Sequence, residues 1–109
     1  MRKLRPRKRA LKLAAKVKDQ LSETLGQPVK VIMYGSQARG DATKESDIDL
    51  LVILPAIGTK TRRLVSDIAW EVGFEAGKVI STVQTTADEM KYYAILPFYK
   101  NVKREGIAV

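Results

Sequence analysis

The chain has 109 residues, 45% of them hydrophobic, and a formal net charge of +8, enough for one small domain with a single core. It holds no Cys and no His, which excludes disulfides, zinc–thiolate centres, Ser-His-Asp catalysis and most zinc hydrolases. With no apolar run of about 18 residues and no secretory signal after the basic N-terminus, a cytoplasmic protein without membrane contact is expected.

The positive charge belongs to one end. Residues 1–18 carry nine Lys or Arg and no acid, whereas the rest of the chain holds eleven basic and twelve acidic side chains. A basic arm over residues 1–9, broken by Pro6, is expected to precede the domain proper, residues 10–109. Such a block suits nucleic acid, an acidic protein face or simply solvent.

From about Lys8 to Leu25 the apolar positions Leu11, Ala14, Ala15, Val17, Leu21 and Leu25 recur at helical spacing, with Gly26 and Pro28 closing the helix. Val29 to Tyr34 is rich in β-branched residues and predicts a strand. A Gly35-Ser36 turn and a short helix over 37–41 follow. Asp47 to Leu54 predicts a second strand, whose unbroken apolar run fits a central position covered on both faces.

Pro55 to Lys60 reads as a loop. Thr61 to Ala76 reads as a helix with Leu64, Val65, Ile68, Ala69, Val72 and Phe74 inward and Trp70 in the core. Lys78 to Thr86 is a third strand. Thr86-Ala87-Asp88-Glu89 has the form of a capping box before a short helix. Residues 97–105 make a last helix, stopped by Gly106. Tyr92, Tyr93, Phe98 and Tyr99 are expected to pack in the core or to form a partner-facing patch. The order αβαβαβα makes a small α/β domain.

The chemistry concentrates in residues 29–54. Asp47 and Asp49 stand two apart at the head of a strand, so both point to one face. Two hard oxygen ligands converging there suit Mg²⁺. The Gly35-Ser36 turn offers backbone N–H groups and a hydroxyl to phosphate beside that metal. Phosphate, metal and paired carboxylates together point to phosphoryl or nucleotidyl transfer.

Gly35-Ser36-Gln37-Ala38-Arg39-Gly40, with Ser46-Asp47-Ile48-Asp49-Leu50-Leu51-Val52 at matching spacing, resembles the signature of minimal nucleotidyltransferases of the DNA polymerase beta superfamily. The late Pro97–Val102 and Arg104-Glu105-Gly106 segments extend the resemblance more weakly. It implies a palm-like core with a mixed sheet and flanking helices. It implies that Asp47 and Asp49 are catalytic and hold the metal ions, Mg²⁺ in a two-metal arrangement. It also implies that Gly35 and Ser36 contact the triphosphate, ATP above all. Arg39 either adds charge near that triphosphate or pairs with Asp41 or a core carboxylate, and Gly40 serves the turn.

Active members of the family usually carry a third carboxylate on the third strand. Here that strand runs Val79-Ile80-Ser81-Thr82-Val83-Gln84-Thr85-Thr86, with Ser81 or Thr82 in its place. The resemblance further implies a toxin–antitoxin antitoxin that transfers AMP from ATP to a tyrosine of a separately encoded helical HEPN-type protein. The alternatives are a silent nucleotide-binding module that neutralises such a partner by contact, and transfer to a nucleic acid end through the basic N-terminus.

Overall fold

A computed structural model describes residues 4–109, so Arg2 and Lys3 of the basic segment lie outside the described residues. The first helix, α1 (Lys8–Leu25), ends at Gly26 in the left-handed region (φ 69°). Strand β1 (Lys30–Tyr34), the one-turn helix α2 (Ser36–Arg39) and strand β2 (Ile48–Leu54) follow. Helix α3 (Thr59–Ala76) starts two residues before its expected Thr61, because Gly58 accepts the N–H of Arg62 and so opens the helix (2.9 Å). Strand β3 (Ile80–Thr86) leads into α4 (Ala87–Tyr92), where Thr86 Oγ1 accepts the Glu89 N–H as the capping box requires. Helix α5 (Pro97–Glu105) is followed by a strand absent from the sequence reading, β4 (Ile107–Ala108).

The sheet order is β3-β2-β1-β4, and the sheet is mixed. β1 pairs antiparallel with β2 and β4, whereas β2 and β3 are parallel and joined by α3. One sheet face carries Val29, Val31, Met33, Ile48, Leu50, Val52 and Leu54 into a core shared with α1 and α3. The opposite face carries Tyr34, Asp49 and Ser81 side by side, because cross-strand partners share a face. There the Phe98 ring packs edge-on against Tyr34 at 5.4 Å, and Tyr99 Oη lies 3.1 Å from Thr85 Oγ1. The helices thus sort into a packing layer on one face and a partial cover on the other.

Two inward assignments fail. Phe74 and Trp70 are exposed and stack on each other, centroids 5.0 Å apart. The buried row of α3 is Val65, Ile68, Ala69, Val72 and Gly73. Residues 70 and 74 fall beside that row, on the flank away from α1, where the sheet ends at β3. The late aromatics divide: Phe98 and Tyr99 are half-buried against the sheet, while Tyr92 and Tyr93 face solvent.

Candidate active site

β1 delivers the chain to Gly35, which adopts φ 75° and ψ −159°. That conformation is open essentially to glycine alone. The turn ends the strand and starts α2, where the N–H groups of Ala38 and Arg39 both reach back to the Gly35 carbonyl. Gln37 is buried, and its amide nitrogen donates to the Ser46 carbonyl at 3.1 Å. Ser46 Oγ accepts the Thr43 N–H at 2.9 Å. This pinned loop over 41–46 brings Asp47 to the mouth of β2.

The two motifs converge. A Cβ placed on Gly35 would come within 2.5 Å of Asp49 Oδ2. The backbone of the turn therefore approaches the carboxylate as closely as a chain without a side chain allows. Asp49 lies between Tyr34 of β1 and Ser81 of β3. Asp47, exposed, stands just before the first residue of β2, so the carboxylate pair straddles the strand start. Asp49 is half-buried, and desolvation followed by the like charge of Asp47 lifts its carboxyl above its ordinary value. Glu105 adds to this rise and Arg39 opposes it. Tyr34, raised by burial and then by Asp49, remains a neutral phenol.

The donor chemistry fits a hard dication. Two carboxylates face each other's charge, one of them partly desolvated, and a divalent ion would relieve both costs. Among the described residues no third acid joins them in a metal-binding cluster. Ser81, not Thr82, is the β3 residue that shares the sheet face with Asp49, since Thr82 pairs with Leu50 on the core face. The place of a third carboxylate is thus held by a hydroxyl.

Arg39 is already engaged. Its Nη1 donates to both oxygens of Glu105 at 3.2 Å, and its Nε donates to Asp41 Oδ2 at 3.3 Å. These bonds, Glu105 first and Asp41 second, raise its pKa further. Glu105 Oε1 also accepts the N–H of Gly35 at 3.1 Å. Glu105 therefore clamps the turn and the arginine from the end of α5. Local sequence assigns Glu105 no role. Its signal was only its place in Arg104-Glu105-Gly106, 70 residues from the turn it holds.

The basic segment also touches this region. The Arg7 N–H donates to the Gln37 carbonyl (2.9 Å), and the Arg7 guanidinium donates to the Ala42 carbonyl (3.0 Å). The Arg9 guanidinium donates to the Ala76 carbonyl at the end of α3 (2.7 Å).

Comparison with known proteins shows the family and the fold. The family model described as "Nucleotidyltransferase domain" matches residues 14–108. A "putative protein adenylyltransferase" of Methanocaldococcus jannaschii is 33% identical over 85 residues, 78% of this chain and 81% of its own. A second protein of that name from the same organism is 33% identical over 72 residues, 63% of this chain and 49% of its own. The crystal structure of a "putative nucleotidyltransferase" from Sulfolobus solfataricus superposes with a TM-score of 0.61 at 20% identity. It covers 92% of this chain and 78% of that one, and shows the shared fold.

Proposed function

The chain belongs to the nucleotidyltransferase domain family, and from that premise we propose that it transfers AMP from ATP to a hydroxyl of a partner protein, with Mg²⁺. The carrying observation is the approach of the Gly35 turn to Asp49 with Asp47 alongside. A glycine turn close against a carboxylate pair supports this reading, because transfer at phosphorus needs phosphate and divalent metal side by side. The relatives named as protein adenylyltransferases support a protein acceptor and an adenylyl donor.

In this reading Asp47 and Asp49 would hold Mg²⁺, which would offset charge on the triphosphate and favour ionisation of the acceptor hydroxyl. The Gly35-Ser36 turn would seat the terminal phosphates, and the reaction takes place at the α-phosphorus. The acceptor oxygen attacks that phosphorus, the bond to the bridging oxygen breaks, and pyrophosphate leaves with its electron pair. The hydroxyl proton passes to water, since Ser81 offers no base. General-base help is worth about 10²–10⁴-fold, so a slow transferase follows from this site.

The acceptor fitting the family resemblance is a tyrosine of a helical HEPN-type protein, within a toxin–antitoxin pair in the cytoplasm. Neutralisation of such a partner by contact alone is the competing reading, favoured by Ser81 in the place of an acid. One experiment separates them. Labelled ATP, Mg²⁺ and the candidate partner are incubated with the parent protein and with Asp47→Asn/Asp49→Asn. Label on the partner with the parent alone is the expected result. Equal neutralisation by both proteins, without label, would replace transfer by contact.

A further inference from the structure

The third strand is an edge without the usual protection. β3 is outermost in the sheet, and no charge, proline or bulge interrupts Val79-Ile80-Ser81-Thr82-Val83-Gln84-Thr85-Thr86. Natural sheets generally blunt such edges, because unpaired N–H and C=O groups recruit another strand. The Val79 carbonyl accepts the Ile48 N–H on the β2 side. By strand alternation the backbone groups of Ile80, Thr82 and Gln84 then point outward. Beside this edge lie Trp70, 66% exposed, Phe74, 71% exposed, and Val79, 61% exposed. They border a groove of about 350 Å³ that also takes in Ser66, Ala69, Ile80 and Thr82.

We propose that this edge and the adjoining flank of α3 form a two-fold interface with a second copy of this chain, β3 pairing antiparallel with the partner's β3. The register follows from the packing of α3 on β3. Gln84 Nε2 donates to the Arg62 carbonyl at one end, and Phe74 adjoins Lys78 and Val79 at the other. Ser66 therefore lies level with Thr82. A two-fold axis through Thr82 sets Ile80 opposite the partner's Gln84 and lays α3 antiparallel on its mate, with small Ser66 at the crossing.

Charge chooses a second copy over other occupants. The exposed side of α3 is basic toward its start (Lys60, Arg62, Arg63) and acidic toward its end (Asp67, Glu71), whereas Glu75 is paired with Lys16 on the α1 side. An antiparallel mate brings Arg62 and Arg63 beside the partner's Trp70 and the partner's Glu71. Opposite charges then meet, and a guanidinium meets an indole face. β3 itself carries no charge to repel its copy. Because the axis stands perpendicular to the sheet, both Asp49 faces open on the same side of the paired sheet.

Trp70 is the single tryptophan, so its emission reports the interface directly. Sedimentation should show a mass about twice 12.2 kDa as concentration rises from low to several hundred micromolar, with a parallel blue shift of emission. Thr82→Pro removes an outward N–H that has no acceptor among the described residues, and Phe74→Glu charges the exposed stack. Each should weaken association by at least about tenfold, with circular dichroism unchanged. Arg62→Glu and Glu71→Arg should each weaken it, and the double variant should restore it. A monomeric mass throughout would overturn the proposal, as would a dimer untouched by Thr82→Pro and Phe74→Glu. A dimer weakened by both charge reversals but not restored by the pair would overturn the antiparallel arrangement.

Discussion

At the scale of single residues, Gly35, Asp49 and Glu105 decide the site. Gly35→Ala meets two obstacles, the positive φ and the Asp49 carboxylate. It should cost about 1–2 kcal/mol in denaturant unfolding and suppress transfer by displacing Asp49. Asp49 shows the opposite balance. Its carboxyl is raised above the unfolded value by burial and by Asp47, so the folded state holds its proton more tightly than the unfolded state does. Stability is greatest below the unfolded pKa and is lost as pH rises through the folded one. Asp49→Asn removes that loss, and no hydrogen bond of Asp49 is broken among the described contacts. Melts without divalent metal should show a higher Tm for Asp49→Asn at neutral pH and little difference near pH 3, while transfer falls at least about 10²-fold. Glu105→Ala releases the Gly35 N–H and Arg39 together. It should lower stability by about 1–2 kcal/mol. An unchanged unfolding midpoint would mean that the clamp is idle.

At the scale of elements, the N-terminal segment and β3 carry the tests. Arg7 and Arg9 are tied to the body by hydrogen bonds to Gln37, Ala42 and Ala76, so residues 7–9 are part of the packing. Removing residues 1–9 should lower Tm, with about 1 kcal/mol per lost backbone contact as the scale. If the segment also meets polyanions, retention on nucleic acid should fall steeply with salt in the full chain and be weak in the truncated one. On β3, Ser81→Asp places a carboxylate beside Asp49 and should gain Tm on adding Mg²⁺. Thr82→Asp faces the core and should lose stability with or without it. An equal metal response of the two variants would contradict the register between β2 and β3.

At the scale of the whole molecule, the C-terminus closes the structure. β4 pairs with β1, Val109 N–H donates to the Val31 carbonyl, and Lys18 Nζ donates to the Val109 carbonyl. Removing residues 106–109 should therefore lower Tm and transfer together, because the same segment seats Glu105 on the turn. The sequence by itself determined the helices α1, α3 and α5, the strands β1 to β3 and the capping box at Thr86. These are local facts: periodicity, turn chemistry and the alternation of side chains along a strand act within a few residues. Tertiary structure alone decided that Ser81 rather than Thr82 faces Asp49, since parallel register depends on how α3 carries the chain back. It alone brought Glu105 to Gly35 and Arg39, gave β4 a partner in a strand too short to signal itself, and left Trp70 and Phe74 outside. Helical spacing fixes which residues share a flank, but only the position of the sheet edge determines whether that flank is covered.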